Sequence, residues 1–196
     1  MKIAKIVKSN SHVDYIGRVI DRLDVDSPPS ANDYGFAQFV RVETKDSAIV
    51  GVIYNTLLAN PEYAQFGPRL SPAPDLSVLS PDYLNEQGVL VGVLLIGWYD
   101  ASGRVHHTVP RQVIPAGTDV LRMTDDETMR FHRGTGGTLQ LHYYSQIMAH
   151  AGAFAAPLVE AIVEHLEPAC ALADRQRLCV LKRSLVWQRT IGSARL

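Results

Sequence analysis

Residues 88–100 read GVLVGVLLIGWYD, the most apolar continuous run in the chain. From Val89 to Tyr99 it carries no charge and no alternation of polar and apolar side chains. Its 13 residues fall well short of the roughly 20 that a helix needs to span a bilayer. Glycines at 88, 92 and 97, set among Val89, Val91 and Val93, disfavour a buried helix and predict a strand covered on both faces. Gly92 and Gly97 inside the run mark bends or bulges, which curled sheets and small barrels use at their corners. The run Ala48 to Leu58 (AIVGVIYNTLL) has the same character, also with an internal glycine. Two such strands place the centre of a small closed sheet in the first half of the chain.

The rest of that half supplies the shorter strands. Ile3 to Val7, with lysines at flanking positions, suits an edge, and Tyr15 to Ile20 forms a second strand. Asp24 to Asp33 is turn chemistry, because Pro28-Pro29 forbids regular pairing. Phe36 to Glu43 alternates, with Phe36, Gln38, Val40 and Val42 on one face. Residues 60–87 hold five prolines and read as a long surface excursion or binding element, with one helical turn starting at Ser80-Pro81. A turn at Asp100 to Gly103 leads into a return strand, Val105 to Val109.

From Thr124 the pattern changes. Thr124-Asp125-Asp126-Glu127 is a capping box, so a short helix should run to His132 and stop at Arg133-Gly134-Thr135-Gly136-Gly137, a flexible hinge. Further helices are expected over 139–152, over 157–172 with Leu158, Ile162 and Leu166 in line, and over 175–189 with Leu178, Leu181 and Leu185 on one stripe. The fold class is therefore α+β: a small N-terminal antiparallel β-barrel over residues 1–120, then an α-helical tail over 121–196.

Few residues carry recognisable chemistry. His106 and His107 are neighbours on a strand, point to opposite faces and cannot share an ion. The glycine-rich RGTGG follows a helix, and the chain contains no Gly-Lys pair, so it is no Walker loop. No Gly-x-Ser-x-Gly elbow is present, and the pairs Asp24/Asp26 and Asp125/Asp126 belong to a turn and a helix start. Cys170 and Cys179 have no metal spacing and read as reduced thiols. No catalytic residue, cofactor or metal site is expected. The first residues, MKIAKIVKS, lack a signal-peptide apolar segment, so a cytoplasmic protein outside the membrane is the expectation.

Charge is the sharper signal. After Asp174 there is no acidic residue, while Arg175, Arg177, Lys182, Arg183, Arg189 and Arg195 supply six cations with Trp187 among them. The first 174 residues hold thirteen cations against twenty anions, a net −7. Arg175, Arg177, Lys182, Arg183 and Arg189 are therefore the candidate contacts for nucleic-acid phosphates or an acidic partner, the −7 remainder of a second copy included.

Several segments resemble the HAS-barrel, the β-domain shared by HerA-type translocase ATPases and the rotary ATP synthase head. They are Tyr15-Ile16-Gly17-Arg18-Val19, Phe39-Val40-Arg41-Val42, Ile49-Val50-Gly51-Val52-Ile53, and Ile114-Pro115-Ala116-Gly117-Thr118-Asp119-Val120 followed by Leu121 to Glu127. The resemblance covers about residues 3–132. Where that family continues into a Walker-type ATPase, this chain turns helical, so no nucleotide or metal residue of the ATPase has a position here. The resemblance implies a non-catalytic assembly or adaptor module, homo-oligomeric and working beside a separately encoded HerA-type ATPase. The alternative is a nucleic-acid-binding module that uses the basic C-terminal helix or the barrel face.

Overall fold

The structure is a computed structural model that describes residues 1–44, 47–59, 88–134 and 137–193, the last eight of these by backbone alone. The proline-rich excursion at 60–87, with its helical turn at Ser80-Pro81, lies outside the described residues, as do Thr135 and Gly136 and the side chains of Trp187, Arg189 and Arg195.

Seven strands are present among the described residues: β1 (Lys2–Ser9), β2 (Asp14–Val19), β3 (Phe39–Glu43), β4 (Ala48–Ala59), β5 (Gly88–Tyr99), β6 (Val105–His106) and β7 (Asp119–Arg122). The order β2-β1-β7-β3-β4-β5 is closed by pairing of β5 with β2, giving an antiparallel six-stranded barrel. Short β6 hangs on the free end of β5. The apolar run at 88–100 is the strand expected, and it has partners on both sides, β4 and β2. Its neighbour β4 is the other long strand. Their register slips twice, between Val50 and Gly51 and between Ile53 and Asn55, which leaves Ile96 and Tyr54 as the extra residues of two bulges. These bulges fall beside Gly97 and Gly92, the two glycines that the sequence marks. A Cβ at Gly97 would sit 2.5 Å from the His106 carbonyl oxygen and 2.8 Å from the Phe131 ring, so only glycine admits that approach.

Three short-range expectations need correction. β1 is not an edge: it pairs with β2 on one side and β7 on the other. The alternating run at 36–43 yields a strand only from Phe39, because Ala37 takes a positive φ of 64° and the Gln38 amide closes a turn onto the Gly35 carbonyl. Phe36 consequently faces solvent. The return strand is only two residues long.

Four helices follow among the described residues: α1 (Asp125–His132), α2 (Tyr144–His150), α3 (Ala155–Leu166) and α4 (Leu172–Ser193). α1 has the full capping box, Thr124 Oγ1 accepting from the Glu127 amide while the Glu127 carboxylate accepts from the Thr124 amide. Residues 139–152 give a shorter helix than expected. Leu158, Ile162 and Leu166 are buried as their spacing requires, and Pro168 stands in a 3₁₀ turn that ends α3. α4 starts earlier than expected and turns Leu178 and Leu185 inward. One continuous apolar cluster joins the barrel strands to the helices, from Ile3 to Leu185. No helix among the described residues is long and apolar enough to cross a membrane.

Candidate functional site

α1 has two faces, and both carry polar chemistry. Its inner face presents Thr128, Phe131 and His132, all buried against the barrel. The His132 ring meets Phe39 of β3 edge-on, with centroids 5.1 Å apart. Its Nδ1 lies 2.7 Å from the Thr128 carbonyl oxygen, which can only accept, so Nδ1 bears the hydrogen. Nε2 is then the acceptor, and the Tyr143 hydroxyl donates to it over 2.6 Å. Burial drives His132 down to about 3, and it pushes the Tyr143 phenol well above its ordinary range. Both groups therefore stay neutral at physiological pH. His107 lies beside them, its Nε2 donating to the Phe131 carbonyl, and burial lowers its pKa as well. His106 turns the other way, stacking on Trp98 and pairing with Asp100 at 2.9 Å, so the two histidines do face apart, although β6 ends at His106 and His107 lies just past it. No group of three metal-ligating side chains occurs among the described residues.

The outer face of α1 forms one wall of an open cleft of about 650 Å³. Arg41 comes from β3, Arg104 from the turn after β5, Arg130 from α1 and Arg133 from its C-cap, while Glu127 is the only carboxylate of the lining among the described residues. That carboxylate is already committed. It accepts from the Thr124 amide, which is the main reason its pKa is lowered, and it pairs with Arg41 at 2.9 Å. Arg41 also reaches Glu43 at 3.1 Å, and its Nε is buried without a partner. Among the described residues, no carboxylate lies within ion-pair distance of Arg104, Arg130 or Arg133. The rest of the lining sets apolar Ala48, Tyr99, Val105 and Met123 beside the polar side chain of Gln140. The Tyr99 phenol is pushed upward by burial and stays protonated.

The structure places the C-terminal cations differently. Arg175 donates to the Cys170 and Pro168 carbonyls, closing the turn between α3 and α4. Arg177 pairs with Asp174 at 3.6 Å, one turn along its own helix. Lys182 is held between Glu164 and Glu167, 3.4 Å from each. Arg183 is exposed, and the Arg189 side chain lies outside the described residues. Three of the five, Arg175, Arg177 and Lys182, thus have partners close at hand. The four arginines that do converge went unnoticed in the sequence, being spread over 93 positions.

A family model described as "Domain of unknown function (DUF8166)" matches residues 1–195. No curated protein matches the chain.

Proposed function

We propose that this chain, which belongs to the DUF8166 family, is a non-catalytic assembly module that associates with further copies of itself. The observation that carries the reading is the arm formed by β4 and β5. Each has 12 residues; β4 runs on past its last pair with β3, at Val52, and the final two β4–β5 pairs, Leu58 with Val89 and Ala59 with Gly88, lie past the last β2–β5 pair, Arg18 with Leu90. A closed barrel has no free edge of its own, so such a ribbon is the natural point of attachment. It carries Leu57, 48% exposed, and Leu58, 81% exposed. A two-stranded ribbon is marginal alone, and covering its leucines with a second copy supplies the missing burial.

The polar chemistry agrees with a holding role. Arginines do not exchange protons near neutral pH, the cleft's carboxylate is tied into a helix cap, and the His132–Tyr143 pair is sealed in the core. The HAS-barrel resemblance supports placing the module beside a separately encoded HerA-type ATPase, with cytoplasmic operation following from that partnership.

Solution mass tests the reading. The expected result is a multiple of 21.6 kDa that collapses to the single-chain value in Leu57→Ser/Leu58→Ser. A single-chain mass at every concentration, with no co-purification of a HerA-type ATPase, overturns it. The alternative of nucleic-acid binding through the basic C-terminal helix loses support from the internal pairing of Arg175, Arg177 and Lys182.

A further inference from the structure

We infer that the cleft between the barrel and the outer face of α1 is a binding site for the phosphates and bases of a single nucleic-acid strand. Such a site does not depend on how many copies assemble. Arg104, Arg130 and Arg133 approach the same cleft from three separate positions and have no anionic partner among the described residues. Concentrating like charge in one place costs free energy unless an anion occupies it. Arg41 adds a buried, unpartnered Nε at the same wall.

The apolar part of the lining selects among anions. A free phosphate or an acidic peptide would use the guanidiniums and leave Tyr99, Val105 and Ala48 uncovered. A nucleotide unit presents an anion and a flat apolar ring together, and its ring can lie on Tyr99 while the phosphate meets the arginines. The volume of about 650 Å³ lies within the usual range for ligand sites, and the cleft is open rather than enclosed. A chain passing through fits that shape better than an isolated small molecule. Single strands also expose their ring faces, which duplexes keep stacked.

Fluorescence anisotropy of a labelled oligothymidylate against the full chain tests the site across a salt series. The triple variant Arg104→Ala/Arg130→Ala/Arg133→Ala should bind at least about tenfold more weakly at low salt. Its slope of log affinity against log salt should be shallower by about 2, since each phosphate that an arginine neutralises on a single strand contributes about 0.7 to that slope. Arg177→Ala/Arg183→Ala, which removes two exposed cations from α4, should bind as the unaltered chain does. Circular dichroism and thermal melting verify that both variants fold. The inference is overturned if the unaltered chain does not bind the strand, if the triple variant binds as well as it does, or if the α4 variant loses as much. Competition by pyrophosphate or polyglutamate as effective as that by unlabelled strand also overturns it, because the cleft would then be reading charge alone.

Discussion

The two faces of α1 handle polar groups in opposite ways. On the inner face every strong polar atom of His132 has a partner of the right sense, and the residue is neutral and wholly buried. On the outer face Arg130 and Arg133 are charged, exposed and without an ion-pair partner among the described residues, and the cleft they line is open. An eight-residue helix thus divides its work, one side fastening it to the barrel and the other facing whatever binds. The same residue class can be sealed or displayed, and burial with satisfied hydrogen bonding decides which. Changes on the inner face should therefore cost stability, and changes on the outer face should weaken binding without costing stability.

The largest effect expected is on the inner face. Tyr143→Phe keeps the ring and its packing on Phe131 but removes the donor to His132 Nε2. A buried acceptor left without its partner costs about 2 kcal/mol. Denaturant unfolding should show that loss with the m-value unchanged. A loss below about 0.5 kcal/mol would mean that the pair contributes little to the inner face, and the contrast would weaken.

The next effect is smaller and depends on pH. His132 has a folded pKa of about 3 against about 6.5 in the unfolded chain, so between these values the unfolded chain binds more protons. Stability is therefore fully present above pH 6.5 and falls as the pH drops. The contribution of His132 approaches about 1.4 kcal/mol per pH unit well below 6.5. His107 is shifted in the same direction by burial and adds to the slope. Between about pH 6.5 and 5 carboxylates remain largely ionised in both states, so the histidines dominate this window. His132→Phe should have a shallower pH slope than the unaltered chain, whatever its absolute stability. Parallel slopes would show that His132 is reached by solvent protons after all.

How much of this was legible beforehand depends on distance along the chain. The apolar run at 88–100 declared its strand, and Gly92 and Gly97 marked the two bulges, because hydrophobicity and glycine placement are local signals. The capping box at Thr124 to Glu127 was equally local. The positive φ at Ala37 was not, since alanine carries no preference for it, and the alternation of Phe36 to Glu43 was misleading across that turn. Lysines near β1 suggested an edge, but closure of the barrel by β7, more than a hundred residues later, put β1 inside the sheet. The cleft was illegible for the same reason. Six cations close together at the C-terminus drew notice as a charge density, yet a helix spreads neighbours around its axis, and the preceding helix and turn supply carboxylates within reach. Arg41, Arg104, Arg130 and Arg133 meet only because β3, the turn after β5 and α1 are brought together by the barrel.

The smallest expected effect is the most telling for the two-faced helix. Arg104, Arg130 and Arg133 are exposed and form no ion pair among the described residues, and replacing all three with alanine removes a long, exposed hydrogen bond of 3.4 Å from Arg130 Nε to the Asp126 carbonyl, a small loss. Exposed substitutions of this kind usually change stability by less than about 0.5 kcal/mol each. Here a gain is the expected sign, because three like charges around one cleft repel each other in the unliganded protein. The gain should shrink as salt screens that repulsion, with most of it gone near about 1 M, where the screening length is about 3 Å. Thermal melting of the triple variant and the unaltered chain at low and high salt measures it. A salt-insensitive loss of stability would place these arginines among the groups that hold α1 to the barrel, and the outer face would then be structural like the inner one.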